Sequence, residues 1–133
     1  MNYKNAVILL LTGRNYNRIM LVRNRFNKRW MTPGGIIDDS DISPFHAALR
    51  KFNEDTGLNI RKSDRKIIEY NYRNNTSIYI IFSKRRRFKD FQPTDENDKL
   101  LFPKLKDVLD GNFRPVRTVV MSSLKEMIKD KII

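Results

Sequence analysis

The stretch from Pro33 to Leu58, PGGIIDDSDISPFHAALRKFNEDTGL, constrains this chain more than any other. Ser43 followed by Pro44 is a strong helix start. A serine side chain accepts a hydrogen bond from an orphan backbone N–H, and proline is pre-set for the first helical position. Gly57 suits the left-handed residue that ends a helix, so the spacing predicts a helix over 44–56. Phe45, Ala48, Leu49 and Phe52 recur at helical spacing and make one apolar stripe. A helix with such a stripe has to be covered by a sheet or by other helices.

A second face of the same helix carries Lys51, Glu54 and Asp55. Glu54 and Asp55 are adjacent acids near the helix C-terminus, where the dipole is already negative. Acids placed against the dipole call for a compensating cation, and two kinds are available. Mg²⁺ takes oxygen ligands and commonly bridges substrate phosphates. Alternatively, Arg50 stands four residues before Glu54 and Lys51 four before Asp55, which would make a salt-bridged helix surface. Asp38, Asp39 and Asp41 crowd the loop ahead of the helix and add oxygens if that loop folds back. Gly34-Gly35 free the backbone for close approach to a ligand, although a glycine pair alone usually marks a turn. His46 is the only histidine and has no neighbours from which to build a catalytic group, so it reads as structural.

The flanks alternate strands and helices. Residues 3–11 and 18–23 are apolar, β-branched runs separated by a polar turn, and are expected to pair as a hairpin. Trp30 suits either the edge of the core or a ligand-stacking position. Residues 66–72 and 77–82 form a second hairpin turned at Asn74-Asn75. Residues 99–102 read as a strand, 105–109 as a short helical turn closed by Gly111, and 115–131 as an amphipathic helix. The run Lys84 to Lys89, KRRRFK, is either a solvated loop or a phosphate contact.

Composition narrows the class. At 133 residues the chain is expected to be one domain, 1–133. There is no cysteine, which excludes disulfides, thiolate metal sites and a cysteine nucleophile. The longest apolar run, Ala6 to Leu11, is too short for a bilayer span, and the N-terminus lacks the features of a secretory signal. The protein is expected to be soluble, intracellular and cytoplasmic, with no membrane partner. The formal charge of +12 favours polyanions such as nucleic acid, nucleotides or inositol phosphates.

The residues from Pro33 to Leu58 resemble the box of the Nudix hydrolase family, the MutT-like enzymes. Arg50-Lys51-Phe52-Asn53-Glu54-Asp55-Thr56-Gly57-Leu58 follows the second half of that box, and Pro33-Gly34-Gly35 the first. The resemblance implies an α/β fold, the Nudix α/β/α sandwich around a central mixed β-sheet. It implies a pyrophosphohydrolase that cleaves a diphosphate linkage with Mg²⁺ or Mn²⁺. By position, Glu54 and Asp55 match the paired metal-binding acids, Gly34 the glycine whose carbonyl ligates metal, and Arg50 the arginine that orients an acid. Glu96 matches a late-loop general base. Two departures stand out. The loop is one residue longer than the pattern, so the early glutamate falls on Asp41 or Ile42, and the resemblance implies Asp41 as the substitute metal ligand, with a shorter reach. Lys51 replaces a metal-binding glutamate, so its ammonium either excludes a second metal or touches a substrate phosphate.

Two functions follow. The first is a metal-dependent hydrolase of a nucleotide-derived or highly anionic substrate, with capped RNA and diphosphoinositol phosphates favoured by the charge. Arg23, Arg25, Lys28, Arg29 and Trp30, with Lys84, Arg85, Arg86 and Arg87, would supply substrate contacts. The second is a catalytically degenerate domain that binds RNA, a nucleotide or a protein partner. Pairing into a homodimer is compatible with the family.

Overall fold

The sheet is organised on β1 (Asn5–Thr12), whose residues alternate between two buried faces. Ala6, Ile8 and Leu10 join one apolar cluster and Leu9 and Leu11 the other. Burial on both faces is why this strand reads as a continuous apolar run and not as an alternating one. The computed structural model describes residues 3–61, 64, 66–84, 88 and 91–133.

β1 runs parallel to β7 (Thr76–Phe82), in register from Asn5 opposite Thr76 to Leu11 opposite Phe82. β7 in turn pairs antiparallel with β6 (Lys66–Tyr72) through the expected hairpin. The other edge of β1 is shared: β2 (Arg18–Ile19) covers its C-terminal end and β5 (Gly34–Ile36) its N-terminal end. The result is a mixed five-stranded sheet. A second, antiparallel sheet has β3 (Leu21–Asn24) between β4 (Trp30–Met31) and β8 (Asn97–Leu101).

The helices take opposite faces of the large sheet. α1 (Pro44–Thr56) sends Ala48 and Phe52 of the expected stripe, together with Ala47, into the cluster of Ala6, Ile8, Leu10, Tyr79 and Ile81, with Phe45 packed against it; Leu49 belongs to neither cluster. α2 (Leu105–Leu109) and α3 (Thr118–Lys129) bury Val108, Val120, Leu124 and Met127 against Leu9, Leu11, Ile78 and Ile80. This is the α/β/α sandwich that the resemblance implied. No helix among the described residues is long and apolar enough to cross a membrane.

Several expectations change. The run 18–23 is not one strand paired to β1: it breaks after Ile19 and passes into the second sheet as β3. The glycine pair is not a turn but part of β5. The last helix begins at Thr118 and not at 115, because Val116 bridges Trp30 and the Arg117 N–H donates to the Trp30 carbonyl. Trp30 itself is buried and packs in a tilted ring pair, centroids 5.1 Å apart, against Phe113 in the core. Its area serves packing, which corrects its assignment to substrate contact.

Candidate functional site

The site grows from the C-terminal half of α1, which is held rigidly at both ends. Ser43 Oγ accepts from the His46 N–H at 3.1 Å, and Gly57 closes the helix with φ 74°. The backbone N–H of Gly34 donates to Asp55 Oδ2 at 3.0 Å, which fixes the helix against β5. That bond requires β5 to press on β1. A Cβ on Gly34 would sit 2.4 Å from Val7 Cγ1, and the residue's φ of +156° is one that side chains disfavour.

Gly35 has a different reason to be glycine. Its backbone lies outside the left-handed range, and a Cβ there would meet Lys51 Cε at 2.7 Å. The stem of Lys51 therefore lies across Gly35. From there Nζ reaches 3.4 Å from Glu54 Oε2 and 3.8 Å from Asp55 Oδ1. Asp55 is buried, and its burial pushes the carboxyl up to about 6, against the Gly34 hydrogen bond and the Lys51 charge; Glu96 and Glu54 push it the same way as burial.

The loop before β8 closes over these residues. Lys51, Glu54, Asp55, Thr94, Asp95 and Glu96 line a cleft of about 190 Å³. Glu96, forty-one residues from Asp55 in sequence, is thus brought to the same cleft as the acid pair. The loop is braced by contacts that sequence reading did not foresee. Arg25 donates through Nη2 to the Thr94 carbonyl at 2.8 Å, and its own N–H to the Glu96 carbonyl at 2.6 Å. The Gln92 N–H donates to the Thr56 carbonyl at the end of α1. Arg25 was expected to bind substrate and instead holds the loop; nothing in the local sequence signals this, because the partners lie about seventy residues away.

Arg50 occupies the other side of the helix. It donates to Glu54 Oε1 at 3.0 Å. Its Nε and Nη2 also grip Asp41 at 2.9 Å each, and its Nη2 meets Asp38 Oδ2 at 3.3 Å. The Arg50 guanidinium holds the Asp41 carboxyl well below the usual carboxylate range. Asp41 also takes His46 Nδ1 at 3.1 Å and the Asp38 N–H at 2.9 Å, and its side chain is fully covered. It does not line the cleft, so its expected role as a metal ligand is not what its contacts provide. The acidic loop is tied down by arginine and does not fold over the acid pair.

The remaining cations divide. Arg23 and Lys28 converge on Asp98, at 2.8 and 3.3 Å. Arg29 and Lys84 are exposed and do not line the cleft. Arg85, Arg86 and Arg87 lie outside the described residues. A second cavity of about 210 Å³ opens on the α3 side of the glycine pair, with Val7, Gly34, Gly35, Tyr72, Arg117 and Ser123 in its wall. Gly35 lines this cavity, and the stem of Lys51, which lines the first cleft, lies across Gly35. Arg117 carried no sequence signal, being one more cation in a basic chain.

The donor chemistry of the first cleft suits a hard divalent cation, since four carboxylates line it. No three acids or histidines among the described residues converge as a ready-made metal cage. Such a cage is not required for a magnesium-like ion, which commonly takes one or two carboxylates together with substrate phosphates. The residues fit one cation shared with a phosphate ligand, with the Lys51 ammonium beside the acid pair.

Comparison with known proteins identifies the family and the fold. A family model described as the NUDIX domain matches residues 2–122. No curated protein matches the chain. Among solved structures, a Nudix hydrolase from M. smegmatis, RenU, superposes with a TM-score of 0.71 at 18% identity, over 98% of this chain and 86% of that one. The NUDIX domain of Shewanella oneidensis NrtR, complexed with ADP ribose, gives 0.69 at 19% identity, over 100% and 90%. A C. elegans Ap4A hydrolase in a binary complex gives 0.62 at 16% identity, over 98% of each chain.

Proposed function

This chain belongs to the NUDIX family, and on that premise we propose that it hydrolyses a diphosphate linkage in a nucleotide-derived substrate. The observation that carries this reading is the cleft in which Lys51, Glu54, Asp55 and Glu96 meet. The names of the structural neighbours, an Ap4A hydrolase and an ADP-ribose complex, support a substrate in which a nucleoside is joined through phosphates.

Glu54 and Asp55 would hold Mg²⁺ or Mn²⁺ jointly with the substrate phosphates, with the Gly34 carbonyl beside them. When bound, the ion supplies charge neutralisation on the phosphates and a more acidic water. Lys51 adds a point charge toward a phosphate oxygen. Glu96, carried on the loop that Arg25 braces, takes the proton from the attacking water. Arg50 keeps the Glu54 carboxylate turned toward the cleft. The cavity beside Arg117 and Tyr72 lies across Gly35 from these groups and accommodates the nucleoside end. The formal charge of +12 favours strongly anionic members of the class, capped RNA and diphosphoinositol phosphates among them.

A panel of capped RNA, ADP-ribose, diadenosine polyphosphates, nucleoside triphosphates and diphosphoinositol phosphates, incubated with Mg²⁺ or Mn²⁺, tests this. At least one should turn over, and Glu96→Gln should lower kcat about 10²-fold or more with little change in KM. Absence of turnover on every member would sink the reading. One observation favours a second: the ammonium of Lys51 bridges Glu54 and Asp55, which suits a domain that binds a nucleotide without cleaving it. Under that reading the panel is inert while ADP-ribose still binds.

A further inference from the structure

When the cation enters this site can be inferred from how its acids are partnered, granting the reading of Glu54 and Asp55 as the ion's ligands. All four carboxylate oxygens of the pair are engaged. Glu54 Oε1 takes Arg50 at 3.0 Å and Oε2 takes Lys51 at 3.4 Å. Asp55 Oδ2 takes the Gly34 N–H at 3.0 Å and Oδ1 faces Lys51 at 3.8 Å. Lys51 is the shared partner, and its position depends on Gly35. Any side chain there would collide with its stem, and with nothing else closer than 3.4 Å, since the other two contacts are with the same lysine at 3.5 Å.

We propose that Lys51, seated in the notch left by Gly35, is a built-in counter-ion that closes the acid pair to free divalent metal. Metal is then admitted only in company with a phosphate ligand. The phosphate draws on the ammonium, which releases the acid oxygens that face the cleft. The substitution of an acid by Lys51 thereby does more than remove a ligand: it couples binding of the cation to binding of the substrate. Lysine suits this because its ammonium is a mobile point charge on a flexible stem, whereas arginine would bind the carboxylates in a fixed fork.

Binding of Mn²⁺ measured by water-proton relaxation enhancement tests the proposal without reference to turnover. The method separates ion on the slowly tumbling protein from the small Mn²⁺–ADP complex. Mn²⁺ should bind the free wild type about tenfold or more weakly than it binds Lys51→Ala or Gly35→Ala. Because Gly35 acts through Lys51, the double variant should bind no more tightly than either single one. Added ADP should create an enhanced Mn²⁺ signal in the wild type. Gly35→Ala meets only a flexible side chain, so it keeps the fold, and Lys51→Ala supplies an independent check. The proposal is overturned if free wild type binds Mn²⁺ as tightly as the variants, or if no variant binds it at all. An inert substrate panel would defeat catalysis alone and leave this measurement decisive for the counter-ion.

Discussion

At the residue scale the two adjacent glycines show how identical neighbours answer different constraints. Gly34 is demanded by backbone: its added Cβ would strike Val7 Cα at 2.6 Å and the Ala6 carbonyl at 2.7 Å, neither of which can move aside. Gly35 is demanded only by the lie of one lysine. Gly34→Ala should therefore destabilise the fold by about 3 kcal/mol or more, combining overpacking with an unfavourable φ. Gly35→Ala should stay within about 1 kcal/mol. Urea unfolding of the two variants checks the contrast, and equal losses would contradict it. The sequence marked the pair only as a turn or a place of close approach. It could not distinguish them, because the clashing partners, Val7 and Lys51, are remote in the chain.

At the element scale α1 is the best-specified piece of the molecule. Its bounds, Pro44–Thr56, coincide with those read from Ser43-Pro44 and Gly57, because the caps are local chemistry. Ser43→Ala should cost about 1 kcal/mol by leaving the His46 N–H without its acceptor. A thermal melt unchanged from wild type would show that the cap contributes nothing. The start of α3 was misplaced by three residues for the opposite reason. Val116 has helical spacing with Val119 and Val120, yet its backbone is claimed by Trp30, and a long-range bridge overrides periodicity.

At the scale of the whole molecule the two sheets are held by different means. The large sheet is buried on both faces, whereas the small one carries the Arg23–Asp98 pair between β3 and β8. Hydrogen bonds from Arg23 hold the Asp98 carboxyl well below its usual 3.8. The folded state thus binds that proton less readily than the unfolded one. The stabilisation is fully present above the ordinary carboxylate value and is lost progressively as pH falls below it toward the lowered folded value. In urea titrations the gap between wild type and Asp98→Asn should be constant near neutrality and close on acidification below about pH 4. A gap that persists at low pH would show that the pair acts through something other than charge. Asp98 thereby engages both Arg23 and Lys28, two cations expected to meet substrate. A net charge of +12 says that a polyanion is attracted but not which cations are free to touch it.

The sequence by itself determined the layered α/β architecture, the helix that carries the acids and the identity of Glu54, Asp55 and Lys51. Periodicity, caps and motif spacing are properties of neighbouring residues, and they survive without knowledge of the rest. Only the tertiary structure decided how those residues are used. It sent Asp41 to Arg50 and Arg25 to the loop that brings Glu96 over the helix, and it buried Trp30. It also laid Lys51 across Gly35. Each of these is a contact between segments distant in the chain, where hydrogen-bond satisfaction and close packing are settled collectively and no local pattern carries the information.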